Sequence, residues 1–121
     1  MLDHIIINVA DFDASKAFFL KALEPLGYAV VLEMGRAVGF GIQGKPELFI
    51  RETETAASPV HVAFKSPDRI SVERFYDAAI AAGGKDNGPP GLRKGYHPNY
   101  FGAFVLDPDG NNIEAVCHDE E

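Results

Sequence analysis

Residues 3–11, DHIIINVAD, and residues 60–68, VHVAFKSPD, are one passage written twice. Laid over each other, the copies stand fifty-seven positions apart, the separation of His4 and His61. The match runs on without a gap. Asp11 falls on Asp68, Phe18 on Phe75, Phe19 on Tyr76, Ala22 on Ala79, Leu23 on Ile80 and Gly27 on Gly84. Two of the four histidines lie in the matched stretch. A repeat of this length marks a supersecondary unit that cannot bury its apolar face alone.

Each copy opens as a strand rich in Ile, Val and Phe and continues into a helix. In copy one, Asp11 or Asp13 can cap residues 14–27, with Phe18, Phe19, Ala22, Leu23 and Leu26 on the apolar stripe. In copy two, Asp68 can cap residues 69–84, with Val72, Phe75, Tyr76, Ala79 and Ile80 in the same role. Both helices stop at glycine. Strands are then expected at 28–34, 36–42 and 47–52, and at 100–106 and 111–117 around the turn DPDG. Residues 85–99, KDNGPPGLRKGYHPN, read mostly as a loop. The expected fold is α+β: two βαβββ modules pairing into a curved, half-barrel mixed sheet, helices outside and a hollow within. The 121 residues form a single domain, with module one over about 1–52, a linker over about 53–59 and module two over about 60–118.

Composition narrows the function. The formal charge of −7 would repel a phosphate backbone, so nucleic acid is excluded as a partner. The chain has no apolar run of about 18 residues, so no membrane span is expected. The single cysteine, Cys117, rules out a disulfide framework. With no signal-like N-terminus, the expected location is the cytoplasm.

Strand side chains alternate between faces. Ile5, Ile7 and Val9 are apolar and should take the helix, which turns His4, Ile6 and Asn8 inward. In copy two, Val60, Val62 and Phe64 should pack and His61 should point inward. In the last strand, Ile113, Ala115 and Cys117 pack, so Glu114 faces the hollow. A carboxylate there needs a partner or water, since an unpaired buried charge costs several kcal/mol. A divalent cation is one such partner, and two imidazoles with a carboxylate form a common metal triad. The alternative is a strand-edge charge in water. Glu47 is the approximate repeat mate of Glu114. His4, His61, Glu114 and Glu47 are therefore the candidate ligands, a set suited to Zn²⁺, Ni²⁺, Co²⁺, Mn²⁺ or Fe²⁺.

A second constellation lies at 91–102, GLRKGYHPNYFG. A loop of this kind could close over the hollow. Arg93 suits a substrate carboxylate and Tyr96 a polar aromatic contact. His97, an imidazole of the kind that serves as acid or base, and Tyr100 are candidate catalytic groups beside Glu114. Asn8, facing inward, is a candidate substrate contact.

These residues resemble the vicinal oxygen chelate superfamily, which includes glyoxalase I, extradiol dioxygenases, fosfomycin-resistance thiol transferases, methylmalonyl-CoA epimerase and bleomycin-resistance proteins. The resemblance spans essentially the whole chain. AFVLDPDGNNIEAV (103–116) is similar to the family's closing hairpin, and LDHIIINVAD (2–11) and VHVAF (60–64) to its module-opening strands. It implies one divalent metal held by His4, His61 and Glu114, with Glu47 as a fourth ligand. It implies a small substrate with two adjacent oxygens and isomerase, lyase or dioxygenase chemistry, the metal acting as Lewis acid and a glutamate moving a proton. It also implies a homodimer. The other readings are a bleomycin-resistance-like ligand-binding protein without catalysis and a structural dimerisation domain.

Overall fold

In a computed structural model of the chain, the residues described are 2–54 and 59–120. The centre of the expected linker, 55–58, lies outside them. Module one runs β1 (Ile5–Val9), α1 (Phe12–Leu23), a 3₁₀ turn (Glu24–Leu26), β2 (Ala29–Met34), β3 (Ala37–Ile42) and β4 (Lys45–Glu52). Module two repeats it: β5 (His61–Lys65), α2 (Arg69–Ala81), β6 (Lys85–Leu92), β7 (Phe101–Leu106) and β8 (Asn112–Cys117). The strands form two four-stranded mixed sheets, ordered β1-β4-β3-β2 and β5-β8-β7-β6. Each opening strand lies parallel to its module's last strand, and the other pairs are antiparallel. A helical crossover is what a parallel pair requires.

The helix starts follow the capping chemistry. Asp11, not Asp13, accepts the Ala14 N–H at 3.1 Å. Asp68 accepts the Ser71 N–H at 2.7 Å, and hydrogen bonding from Ser71, its side chain first and its backbone second, holds the Asp68 carboxyl below the usual range. An Asp68→Ala variant should lose about 1 kcal/mol of stability, read as a lower urea midpoint at unchanged slope. A change in slope would mean that something other than a cap was lost.

Phe18, Phe19, Ala22 and Leu23 of α1 and Val72, Phe75 and Ala79 of α2 are fully buried. The two helices touch each other, and both sheets contribute to one continuous apolar cluster. Ile7, Val9 and Phe64 join it, whereas Val60 is 45% exposed and contributes little. The turn of module two is tied to module one as well. Asp109 accepts from the Ala10 N–H at 3.1 Å and from the Ser15 hydroxyl at 3.3 Å, over the start of α1.

One expected loop is a strand. Residues 85–92 pair with β7 as β6, with register shifts on either side of Gly88. Pro89 and Pro90 carry no N–H, and they are tolerated because β6 is an edge strand. The glycine and proline signal was real, but it reported an irregular edge. Among the described residues no helix is long and apolar enough to cross a membrane.

Candidate functional site

Strand β8 lies between β5 and β7, so it is covered on both sides. Glu114, in its middle, is 1% exposed and is a buried carboxylate. Both of its oxygens are engaged. His61 Nε2 lies 2.7 Å from Oε1, and the Tyr100 hydroxyl donates a short hydrogen bond to Oε2. His61 sits at the start of β5 with its side chain half open, so it lines a cavity while Glu114 stands behind it. Tyr100 immediately precedes β7. Burial, and then the bond to the Glu114 carboxylate, push its phenol up to about 12. The positive charge of Arg93 acts in the opposite direction. Tyr100 is therefore a neutral hydrogen-bond donor at any ordinary pH.

The cavity, of about 400 Å³, is lined by His61, Gly88, Arg93, Tyr96, Phe104 and Asn112 among others. Arg93 reaches back along β6, donating from Nη2 to the Pro89 carbonyl at 2.6 Å and lying 5.5 Å from the Phe104 ring centroid. Gly88 makes this possible. A Cβ there would stand 2.9 Å from the Phe104 ring and 3.2 Å from Arg93 Nη2, and its φ of +148° suits glycine.

His97 is exposed and accepts the Asn99 N–H at Nδ1, 3.2 Å away. It is not a partner of Glu114. Its ring meets His118 at 5.5 Å, and His118 meets Tyr100 at 5.3 Å. Tyr96 meets Tyr100 edge-on at 5.0 Å. His118, which its acidic neighbours mark as a solvated chain-end residue, is thus a surface member of an aromatic group on Tyr100. Only the return of β8 alongside β7 brings it there, and nothing local in the sequence signals it.

Module one is built differently. His4 pairs with Asp3 at 2.8 Å and meets the Phe49 ring at 5.3 Å. Glu47 accepts from the Tyr28 hydroxyl at 2.7 Å. Burial, and then this bond, raise the Tyr28 phenol above its ordinary value. These groups line a separate cavity of about 330 Å³ with Lys45, Phe64 and Lys65. Asn8 faces Arg51 across the β1–β4 pair and accepts from its Nε at 2.9 Å, so its oxygen serves a neighbouring strand.

The strand register corrects the pairing of Glu47 with Glu114. Ala63 lies opposite Glu114, and its repeat mate Ile6 lies opposite Phe49. Phe49 therefore holds the place of Glu114 in module one, and Glu47 corresponds to Asn112. Where His61 meets a carboxylate on the adjacent strand, His4 meets a phenyl ring there.

Among the described residues, no group of three or more His, Cys, Asp and Glu gathers where it could hold a metal ion. His61 and Glu114 converge and suit two corners of an ion site. His4 and Glu47 stand at the other cavity. Catalytic zinc-type sites use three protein ligands, and among the described residues of one chain only two of the four candidates, His61 and Glu114, converge.

The profile of the Glyoxalase/Bleomycin resistance protein/Dioxygenase superfamily matches residues 1–115. No curated protein matches the sequence. Among solved structures, a glyoxalase/bleomycin resistance protein from Albidiferax ferrireducens T118 is similar at 25% identity and TM-score 0.85, over 98% of this chain and 99% of that one. A glyoxalase/bleomycin resistance protein/dioxygenase family enzyme from Burkholderia phytofirmans PsJN shares the fold at 18% identity and TM-score 0.74, over 97% and 98%. So does the oxidase ChaP-H2, at 24% identity and TM-score 0.71, over 98% and 94%. With its twice-written module and a profile match over nearly its whole length, the chain belongs to the glyoxalase/bleomycin resistance protein/dioxygenase superfamily.

Proposed function

We propose that the protein is a metal-dependent glyoxalase-like enzyme acting on a small substrate with vicinal oxygens. In this reading His61 and Glu114 of one copy and His4 of a second copy hold one divalent ion. The observation that carries the reading is Glu114, a buried carboxylate beside an imidazole at the wall of a cavity. Burying such a charge is costly unless it is paired, and a cation beside it would offset that cost.

Two features favour a site shared between copies. The described residues of one chain bring only two of the candidate donors together. The two histidines also stand on or beside β1 and β5, the outer strands of their sheets. Such edges present unpaired backbone groups, and Ile6 and Val60 beside them are 49% and 45% exposed. A two-fold pair setting β1 of each copy against β5 of the other covers both edges and creates two equal sites.

A divalent ion would supply Lewis acidity to two adjacent substrate oxygens. The chain's own groups do the rest. Tyr100 holds Oε2 of Glu114 and leaves Oε1 on the His61 side. As a neutral donor it fixes the carboxylate without adding charge. Arg93, on the cavity wall, attracts and orients an anionic part of the substrate. At the surface, His118 packs its ring edge-on against Tyr100, and His97 packs against His118.

The test is metal content after purification without chelator. His61→Ala and His4→Ala should each lose the ion. Mixing the two variants in equal amounts, with exchange of subunits, should restore about a quarter of it, because about half of the pairs are then mixed and each mixed pair contains one intact site and one doubly broken site. Equal metal in the parent and both variants would overturn the ligand assignment. Loss in both without recovery on mixing would place the site within one chain. A second reading, ligand sequestration without catalysis, is favoured by the double engagement of Glu114 by His61 and Tyr100. It predicts ligand binding that survives EDTA and His4→Ala, with no turnover.

A further inference from the structure

We infer that the cavity of module two takes a small hydroxy acid, its carboxylate on Arg93 and its neighbouring hydroxyl on Asn112. The inference rests on the reading of this cavity as the substrate site and specifies what enters it.

Arg93 is half-buried and lines the cavity. Its guanidinium donates to one backbone carbonyl and, among the described residues, forms no ion pair. Its other donors have no carboxylate to meet, in a chain with eighteen acidic residues and eleven basic ones. A guanidinium presents a planar fork that matches a carboxylate with two parallel bonds. The backbone of the loop holds it in place: Arg93 N donates to Tyr100 O at 2.7 Å, and Tyr96 N donates to Arg93 O at 3.0 Å. These bonds do not depend on the side chain, so the cation can be removed without releasing the loop.

Asn112 supplies the second half. It opens β8 directly opposite His61 and lines the same cavity. Its Oδ1 is buried and, among the described residues, accepts no hydrogen bond. Buried acceptors are rarely left so, because an unmet one has given up its water without gaining a partner. An acceptor calls for a donor, and a substrate hydroxyl provides one where a second carboxylate would be repelled. Phe104 and Tyr96 give the cavity aromatic walls. A flat molecule with a carboxylate beside a hydroxyl satisfies all three groups. The same hydroxyl and carboxylate would present neighbouring oxygens on the His61 side.

Salicylate, catechol and benzoate separate the two contacts by isothermal titration calorimetry. The titrations are run with EDTA, so they do not depend on any metal. The native protein should bind salicylate at least about tenfold more tightly than catechol, which lacks the carboxylate, and than benzoate, which lacks the hydroxyl. Arg93→Gln should abolish the preference over catechol. Asn112→Ala should abolish the preference over benzoate. Equal binding of salicylate and catechol by the native protein, absence of salicylate binding, or an unaltered preference in Arg93→Gln would each overturn the inference. A salicylate preference that is intact in a protein retaining no metal would leave this inference standing and remove the metal reading. Metal retention without the preference would do the reverse.

Discussion

On the metal-dependent reading proposed above, Glu114→Gln should yield a folded protein that no longer holds a divalent ion. The amide keeps the volume of the side chain and still accepts a hydrogen bond, so the packing of β8 between β5 and β7 survives. What disappears is the negative charge. Losing a partner that merely supports a metal ligand costs about 10–100-fold in affinity, and losing an anionic ligand should exceed about a hundredfold. Stability should change little, because the charge removed is the buried one and the partner left behind, His61, is half open to water and leaves no unpaired charge inside. Tyr100 provides an internal check. Its phenol is pushed up to about 12, first by burial and then by the Glu114 carboxylate. Removing the charge should lower that midpoint without returning it to the ordinary value of about 10, since burial remains. The sign follows from linkage. A group whose folded pKa is raised contributes stability that is complete below about 10 and is lost as pH rises through about 12. The variant should therefore lose less stability over that alkaline range. Elemental analysis, tyrosinate absorbance and melts across the range read all three effects. Full metal retention in Glu114→Gln would remove the ligand role.

Phe18→Ala should cost about 3–5 kcal/mol, the usual range for emptying a buried phenyl site. Phe18 is fully buried and meets Phe19 edge-to-face at 5.1 Å. It also reaches the other module. A Cβ placed on Gly84, at the end of α2, would lie 2.8 Å from the Phe18 ring and 2.4 Å from Val105. The cavity left by alanine would open at the seam between modules, where neither half can close it alone. Because one apolar cluster spans both halves, unfolding in urea should remain a single transition shifted to lower denaturant. Two separated transitions, or a loss below about 1 kcal/mol, would show that the modules hold their cores independently.

Much of this was legible in the residues. The repeat, the two capping aspartates and the apolar stripes depend on short-range spacing, and the structure keeps them. The inward turn of His61 and Glu114 was also legible, because it follows from alternation along single strands. β6 was missed because glycines and prolines erase alternation whether they sit in a loop or on an irregular edge. Glu47 was mispaired because register between strands distant in sequence is set by pairing, and residue type does not record it.

The sequence by itself determined two copies of one βαβββ module and the face on which each copy carries its histidine. Those features come from local periodicity, capping and turn chemistry, which act over a few residues. The tertiary structure alone decided which candidates meet. It brought His61 and Tyr100 to the carboxylate of Glu114, set Phe49 where module one would need a second one, and left Arg93 and Asn112 facing a common cavity. Such meetings depend on inter-strand register and on how the two modules share one core. Both are fixed by packing between residues far apart along the chain, which no local pattern encodes.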